Sequence, residues 1–278
     1  MARPLLLSAL LAPALASLGA VTDVHLHLSN FSLFTYTWAN ASAGACPCAP
    51  PCACDWTLAD YAAANLNAPA SKLVFVEVAV APAQWLLEAQ WVEGLIAGGG
   101  AAAAIGAIVA QRPPGFGVVG ADFAQLQSDV ASLAALPHVV GVRAGAIDYT
   151  NASAVAALAP HFALLAAHRF SMDVVQPVTA AVAAGLAGVA AAQPGLTIVL
   201  DHLGGAPVLA NASAIADWAQ GMATLGALPN VFVKVGGLFQ HYKDAQAIPS
   251  VATVQPFVAA GLAAFPGRAA FERNWLCV

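Results

Sequence analysis

The sequence predicts an α/β protein in which eight parallel strands close into a barrel, the (β/α)8 or TIM-barrel architecture. Short β-branched runs alternate with longer alanine-rich segments of helical period along the chain. Its 278 residues suit one such barrel, which takes about 250. A doubly wound open sheet is the alternative, but the pattern G-x-G-x-x-G does not follow the first strand. The closed barrel is therefore the expected fold.

The predicted strands are short runs rich in valine, isoleucine and phenylalanine: Val21–Leu28, Lys72–Val80, Ile105–Ala110, Val139–Arg143, Phe170–Val175, Leu196–Leu200, Val231–Val235 and Ala269–Trp275. The predicted helices lie between them: Thr57–Asn67, Ala83–Ala97, Asp122–Leu136, Ala152–His168, Thr179–Ala192, Ser213–Leu225 and Val251–Phe265. Several of these helices end at a proline or glycine turn. The sequence stops at Val278 as the eighth strand ends, so we expect the eighth helix to be missing from it.

The composition excludes some classes of function. Hydrophobic residues make up 60% of the chain, but much of this is alanine, which favours helices and is only weakly lipophilic. The most apolar runs, Ile96–Ala110 and Thr179–Leu200, are interrupted by glycines or Pro194, so we interpret them as soluble core rather than membrane spans. A net charge of −5 argues against nucleic acid as a partner. A small molecule is therefore the expected substrate. The composition does not indicate an oligomeric state.

The first twenty residues have the pattern of a signal peptide. Arg3 precedes the apolar run Pro4–Leu18, and small residues suited to cleavage follow. We therefore expect residues 1–20 to be a signal peptide and 21–278 to be the barrel domain. Four glycosylation sequons agree with a secreted glycoprotein: Asn30, Asn40, Asn151 and Asn211. A cytoplasmic location is the alternative, since Asn151 and Asn211 also suit helix N-caps.

Four cysteines crowd into one proline-rich loop between the first strand and the first helix. Cys46, Cys48, Cys52 and Cys54 lie within nine residues, and Cys277 is far away. Two local disulfides would suit a secreted protein, and four thiolates could bind zinc. Because the loop lacks a paired C-x-x-C, we expect disulfides, with the pairing open.

The most informative motif is Asp23-Val24-His25-Leu26-His27 on the first strand. Side chains alternate along a strand, so His25 and His27 point to the same side. Two inward-facing imidazoles are costly in a core unless they hydrogen-bond or bind a ligand. Taken alone, the motif fits two hydrogen-bonded core histidines as well as two histidines that bind a ligand.

Other ionisable residues end most of the remaining strands, although only 8% of the chain is charged. Active groups of an α/β barrel lie at the C-terminal ends of its strands. The residues found there are Glu77, Arg143, Asp173, Asp201, His202, Lys234, Glu272 and Asn274. Their convergence predicts a polar pocket at one mouth of the barrel.

In combination these segments resemble the amidohydrolase-related (amidohydrolase 2) barrel family, in the branch of sugar lactonases and pyrone dicarboxylate lactonases. The resemblance rests on Asp-x-His-x-His, Tyr-Thr-Trp ending at Trp38, Val-Glu-Val around Glu77, Gly-Val-Arg143, and Asp-His-Leu-Gly-Gly around His202. It covers the chain from about Thr22 onward.

The resemblance implies a hydrolase that opens the lactone ring of a sugar-derived or carboxylated substrate. The catalytic positions are then His25, His27, His202 and Asn274. Trp38, Glu77, Arg143, Asp173 and Lys234 would bind the substrate. One divalent ion such as zinc, held by His25, His27 and His202, and catalysis without metal are both open, since the lactonase branch can use His, Arg and Lys to stabilise an oxyanion.

At Asn274 this sequence departs from the family, which has an aspartate there as general base. An amide cannot accept a proton as a carboxylate does. Glu272 shares the same side of the predicted strand and could substitute. Two further functions therefore stay open: a metal-dependent decarboxylase of the same superfamily, and a secreted binding protein that has lost catalysis.

Overall fold

The computed structural model describes residues 21–36, 38, 55–65, 69–145, 147–238 and 249–274. The predicted signal peptide, the cysteine-rich loop and Cys277 lie outside these residues, so those predictions stay predictions.

The predicted barrel is confirmed. Eight parallel strands follow one another in sequence order around the sheet. They are β1 Val21–Leu26, β2 Ala70–Val76, β3 Ile105–Gln111, β4 Val139–Ala144, β5 Ser171–Val174, β6 Thr197–Leu200, β7 Val231–Val235 and β8 Ala269–Phe271. Alternate strand residues such as Phe75, Ile108 and Val142 are fully buried, as strands covered by helices require.

Helices follow the strands on the outside of the barrel. They are α1 Leu58–Ala64, α2 Trp85–Gly98, α3 Phe123–Ala134, α4 Ala152–Ala157, α5 Ala159–Ala167, α6 Ala180–Ala192, α7 Ala212–Gly226 and α8 Val251–Ala264. The side chains of Asn151 and Asn211 cap α4 and α7 by accepting from Ala154 and Ala214 backbone N–H groups. No helix among the described residues is both long and apolar enough to span a bilayer.

The prediction of one continuous helix over Ala152–His168 is wrong. The segment Ala152–His168 forms two helices, α4 and α5, that meet at Leu158. Pro160 lies in the first turn of α5. Because proline has no backbone N–H, it cannot continue the hydrogen-bond ladder of α4 and instead suits a helix start.

Four predicted strands end early: β1 at Leu26 instead of Leu28 and β5 at Val174 instead of Val175, and two larger differences place site residues on the barrel mouth. β2 ends at Val76 instead of Val80, so Glu77 directly follows it, and Ala79 has a left-handed backbone (φ 52°). β8 ends at Phe271 instead of Trp275, and Asn274 is left-handed (φ 53°). A left-handed residue cannot continue a strand.

The seam between β1 and β8 is bridged by a side chain. Asp23 on β1 accepts a hydrogen bond from the backbone N–H of Arg273, at 3.1 Å. The hydroxyl of Tyr61 donates to the same carboxylate at 2.8 Å and accepts from Arg273 Nη1 at 2.7 Å. Asp23 thus ties the first strand to the segment that carries Glu272 and Asn274.

Candidate active site

The structure brings eight of the nine predicted site residues to the C-terminal mouth of the barrel. They are His25, His27, Glu77, Arg143, Asp173, His202, Lys234 and Asn274, and all but Arg143 are buried. Trp38 differs, because 37% of it is exposed, and its ring meets Phe31 edge to face and Tyr36 at a tilt. Its indole donates to the carbonyl of Val78 at 2.6 Å.

His25 and His27 face each other through their Nε2 atoms, which lie 3.1 Å apart. His27 Nδ1 lies 2.9 Å from the carbonyl oxygen of Val76, and His25 Nδ1 lies 2.8 Å from Oε2 of Glu272. The carbonyl of Val76 only accepts, so the proton of His27 lies on Nδ1 and its Nε2 keeps a lone pair. His25 Nδ1 contacts Glu272 Oε2 without an aligned hydrogen bond and also lies 3.3 Å from Lys234 Nζ. The tautomer of His25 with its proton on Nδ1 leaves a lone pair on its Nε2 as well.

Burial keeps both rings neutral. Burial, followed by the ammonium of Lys234, lowers the pKa of His25 well below its ordinary value. Burial, followed by the guanidinium of Arg143, lowers the pKa of His27 to about 3. Neutral imidazoles with a free lone pair are the form in which histidine binds a metal ion.

Asn274 adds a third oxygen or nitrogen donor at the same point. Its Oδ1 lies 3.1 Å from Nε2 of His27. Two imidazole nitrogens and one carbonyl oxygen thus converge on a small volume, where a proton or a cation between them makes the contacts favourable.

Glu272 is the residue whose importance sequence reasoning underestimated. Its Oε1 accepts from both the ring Nδ1 (2.9 Å) and the backbone N–H (2.8 Å) of His202, and its Oε2 lies 2.8 Å from His25 Nδ1. One carboxylate therefore hydrogen-bonds one histidine and lies in ionic contact with a second. In the sequence, the only sign of this role is that Glu272 lies two residues before Asn274, and so on the same side of a strand.

His202 is held in a strained turn. His202 and Leu203 both have left-handed backbones (φ 55° and 53°), and Gly204 and Gly205 continue the left-handed turn. Such conformations cost roughly 1–2 kcal/mol for each non-glycine residue. Gly237 makes room for the ring, since a Cβ there would overlap Nδ1 of His202.

Arg143 links His202 to two carboxylates. Its Nη2 lies 3.1 Å from Nε2 of His202, its Nε lies 2.9 Å from Asp201 Oδ2, and its Nη1 lies 3.5 Å from Glu77 Oε1. The guanidinium donates to the ring, so the Nε2 lone pair of His202 is already occupied. Asp201, which immediately precedes His202, belongs to the site, as its position at the end of a predicted strand indicated, although no catalytic or binding role was predicted for it.

Lys234 is buried between two aspartates. Its Nζ lies 2.5 Å from Asp173 Oδ2, 2.9 Å from Asp201 Oδ1 and 3.3 Å from His25 Nδ1. Burial opposes ionisation of Asp201, but Lys234 and Arg143 outweigh it and hold its pKa at about 2. Burial raises the pKa of Asp173 to about 6 against the pull of Lys234.

The sequence match that decides the family covers nearly the whole described chain. A family model described as amidohydrolase matches residues 22–277. The chain belongs to this amidohydrolase family. No curated protein sequence matches it.

Solved structures of low identity share the fold of this amidohydrolase. An amidohydrolase from Burkholderia multivorans with bound zinc is 21% identical, with a TM-score of 0.66 over 93% of this chain and 86% of the other. A probable 2-pyrone-4,6-dicarboxylic acid hydrolase from Acinetobacter baumannii, with citric acid bound, is 13% identical (TM-score 0.58, 92% and 84% covered). A 5-carboxyvanillate decarboxylase from Sphingomonas paucimobilis is 10% identical (TM-score 0.55, 92% and 88% covered).

Charge and donor geometry of the amidohydrolase site both suit a divalent cation. Among the described residues, the salt-bridge partners of Glu77, Asp173 and Asp201 are Arg143 and Lys234, and Glu272 contacts only histidines, so two negative charges exceed the positive charges when all four carboxylates are ionised. Two nitrogen ligands on one tetrahedral zinc, with bonds of about 2.0–2.1 Å, lie roughly 3.3 Å apart. The two Nε2 atoms, at 3.1 Å, nearly meet this spacing.

A second set of potential ligands overlaps the first. His25, His202 and Glu272 also lie close enough to share an ion. However, Glu272 already hydrogen-bonds His202 and lies in ionic contact with His25, and a metal-binding histidine commonly donates its second N–H to a carboxylate. The geometry therefore favours Glu272 as the carboxylate that orients the histidines, and Asn274 as a ligand of the ion.

Proposed function

We propose that this enzyme is a metal-dependent hydrolase that opens a lactone ring. The observation that carries the proposal is the convergence of the lone pairs of His25 Nε2, His27 Nε2 and Asn274 Oδ1 beside two buried cations. The likeness of its motifs to the lactonase branch, and a fold shared with a probable pyrone dicarboxylic acid hydrolase, support the choice of substrate.

His25, His27 and Asn274 would hold the ion, because their donor atoms are unprotonated and mutually close. A divalent ion there would supply Lewis-acid polarisation of the lactone carbonyl. The neutral state of both histidines, which burial enforces, keeps this donor set available across the neutral pH range.

Arg143 and Lys234 provide positive charge where the reaction develops negative charge. Attack of water on the lactone carbonyl places charge on the carbonyl oxygen before the ring C–O bond breaks and a hydroxy acid forms. Asp201 and Glu77 hold the guanidinium of Arg143 in place before the substrate arrives. Preorganised charge of this kind needs no rearrangement during the reaction.

The test is acid release from a panel of sugar 1,4- and 1,5-lactones and pyrone carboxylates by the zinc-loaded protein. We expect turnover of at least one lactone and its loss in His202→Ala. His138→Ala is the matched control, because His138 also pairs with a carboxylate, Glu93, but at the other end of β4. Full activity of His202→Ala would show that His202 is not a catalytic residue.

The same protein tests the alternatives. Release of carbon dioxide from hydroxybenzoates, with no lactone opened, would identify a decarboxylase instead. Tight binding of a lactone without turnover, retained after Asn274→Asp, would identify a binding protein.

A further inference from the structure

The amide of Asn274 leaves the proposed hydrolysis in need of a general base from elsewhere in the site. A water molecule must lose a proton as it attacks a lactone carbonyl, and an amide cannot accept that proton. Four carboxylates of the barrel mouth could do so: Glu77, Asp173, Asp201 and Glu272. Their surroundings decide between them.

Access to the substrate separates Glu77 from the other three carboxylates. Side-chain exposure is 9% for Glu77 and at most 1% for each of the others. Glu77 and Arg143 also line a cavity of about 270 Å3 at the ends of β3 and β4, and the other three carboxylates do not. Because a general base must come within hydrogen-bond distance of the proton that it removes, Glu77 alone of the four meets this condition.

Glu77 has one oxygen that holds it in place and one that is free. Its Oε2 accepts a hydrogen bond from the backbone N–H of Ala79 at 2.6 Å. Its Oε1 accepts none from any described residue, and it keeps accessible surface, unlike Oε2 of Glu272 and Oδ1 of Asp201. The carboxylate is therefore fixed at one oxygen, while the lone pairs of the other can meet a water molecule in the cavity.

The free oxygen lies beside the cation that stabilises the oxyanion in the proposed reaction. Glu77 Oε1 is 3.5 Å from Nη1 of Arg143, beyond the usual hydrogen-bond range. The carboxylate that hydrogen-bonds this guanidinium is that of Asp201, 2.9 Å from Nε. A carbonyl oxygen that binds Arg143 thus has a base within reach of the water that attacks it, the arrangement that ester hydrolysis requires.

We propose that Glu77 is the general base of this hydrolase. Its Oε1 takes a proton from water as the water oxygen bonds to the lactone carbonyl carbon, and the carbonyl oxygen becomes an oxyanion beside Arg143. When the ring C–O bond breaks, the proton passes from Glu77 to the leaving ring oxygen, which becomes the hydroxyl group of the open-chain acid. The carboxylate is thereby restored. This inference rests on the proposed function and adds the group that removes the proton.

The first test replaces the carboxylate with an amide. Glu77→Gln keeps the shape of the side chain, and its amide oxygen can still accept from Ala79, but it cannot take a proton. We expect kcat for lactone opening by the zinc-loaded protein to fall by roughly 100- to 10,000-fold, with KM and zinc content little changed. Glu88→Gln is the matched control and should keep kcat, because Glu88 also accepts from a backbone N–H of this segment, that of Val78, but is only 1% exposed. An unchanged kcat in Glu77→Gln would overturn the base and leave lactone hydrolysis intact.

Chemical rescue separates a base from a residue that only holds Arg143. Glu77→Ala leaves room beside the cavity for acetate, and for its mono- and difluorinated forms, which are similar in size but less basic. We expect added acetate to restore kcat in part, the fluorinated anions to restore less in order of their basicity, and chloride to restore none. Rescue that is equal for all three carboxylates, or no rescue by acetate, would overturn the role of Glu77. A wild-type protein that opens no lactone would overturn the proposed function, and this role with it.

Discussion

The Nε2 atoms of His25 and His27 lie 3.1 Å apart. Their Nδ1 atoms lie on the other side of each ring, that of His27 against the carbonyl of Val76 and that of His25 against Glu272. With protons on both Nδ1 atoms, a residue of β1 and the residue that directly follows β1 form a pair of cation ligands.

We expect the purified protein to bind about one divalent ion when incubated with zinc, and His27→Ala to lose it. Ligand at 100 times Kd stabilises a fold by about 2.7 kcal/mol, so zinc should also raise the melting temperature of the wild-type protein. Elemental analysis and thermal melting measure both effects, with His138→Ala as control. Equal zinc content in His27→Ala would contradict the assignment.

Glu272 should act through the two histidines that it orients. Glu272→Gln keeps the size but loses an acceptor, because the amide NH2 cannot accept from an imidazole N–H. Loss of such an orienting partner typically costs about 10–100-fold in metal affinity or activity. Zinc affinity and lactone kcat measure the effect.

Glu93 provides the control for Glu272. It accepts from both the ring and the backbone N–H of His138, as Glu272 does from His202. Glu93→Gln should therefore change stability but not zinc affinity. If both variants lost zinc equally, Glu272 would have no specific role at the site.

Gly237 should be intolerant of a side chain for two separable reasons. Its backbone is left-handed (φ 59°), and a Cβ would overlap the ring of His202. Gly100 has a similar φ of 65° but open space around it. Gly100→Ala thus measures the backbone cost alone, about 1–2 kcal/mol. We expect Gly237→Ala to lower kcat as well, and equal kinetics in the two variants would refute the contact.

The barrel and most of its site could be predicted because strand ends converge in this architecture. Once eight strands alternate with helices, residues such as Arg143 and Lys234 must meet at one mouth, whatever their separation along the chain. The break at Leu158 was not predicted, although Pro160 disfavours a continuous helix there because proline has no backbone N–H.

The role of Glu272 could not be predicted, because it depends on contacts that sequence spacing does not encode. Glu272 meets His202 only because β8 ends early and His202 lies in a left-handed turn. Both features depend on tertiary packing and run against the local conformational preferences of the residues.

Asn274→Asp should strengthen cation binding. The added carboxylate replaces an amide oxygen 3.1 Å from His27 Nε2, and aspartate tolerates the left-handed backbone as asparagine does. Two opposite unit charges 4 Å apart attract by about 4 kcal/mol at an effective dielectric of 20, part of which desolvation offsets. We expect zinc affinity to rise by roughly tenfold.

Asn274→Ala tests the opposite direction, since it removes the oxygen altogether. Titration with a chromogenic zinc chelator ranks the affinities, and the expected order is Asp, then Asn, then Ala at position 274. Equal zinc affinities of the wild-type protein and Asn274→Ala would exclude Oδ1 as a ligand of the ion.

Glu88 should make the stability of the wild-type protein fall with rising pH. Burial, followed by repulsion from Glu77, raises its pKa well above the ordinary value. Its contribution to stability is therefore fully present below the unfolded-state pKa and is lost as pH rises toward the folded-state pKa, at up to about 1.4 kcal/mol per pH unit.

Glu88→Gln removes this dependence while keeping the oxygen that accepts from the backbone N–H of Val78. Urea unfolding at pH 5 and pH 8 measures the difference in the free energy of unfolding between variant and wild type. We expect that difference to shift in favour of the variant at pH 8, because only the wild-type carboxyl is driven to ionise in its buried position. A difference that is the same at both pH values would show that Glu88 ionises in the folded protein as easily as in the unfolded chain.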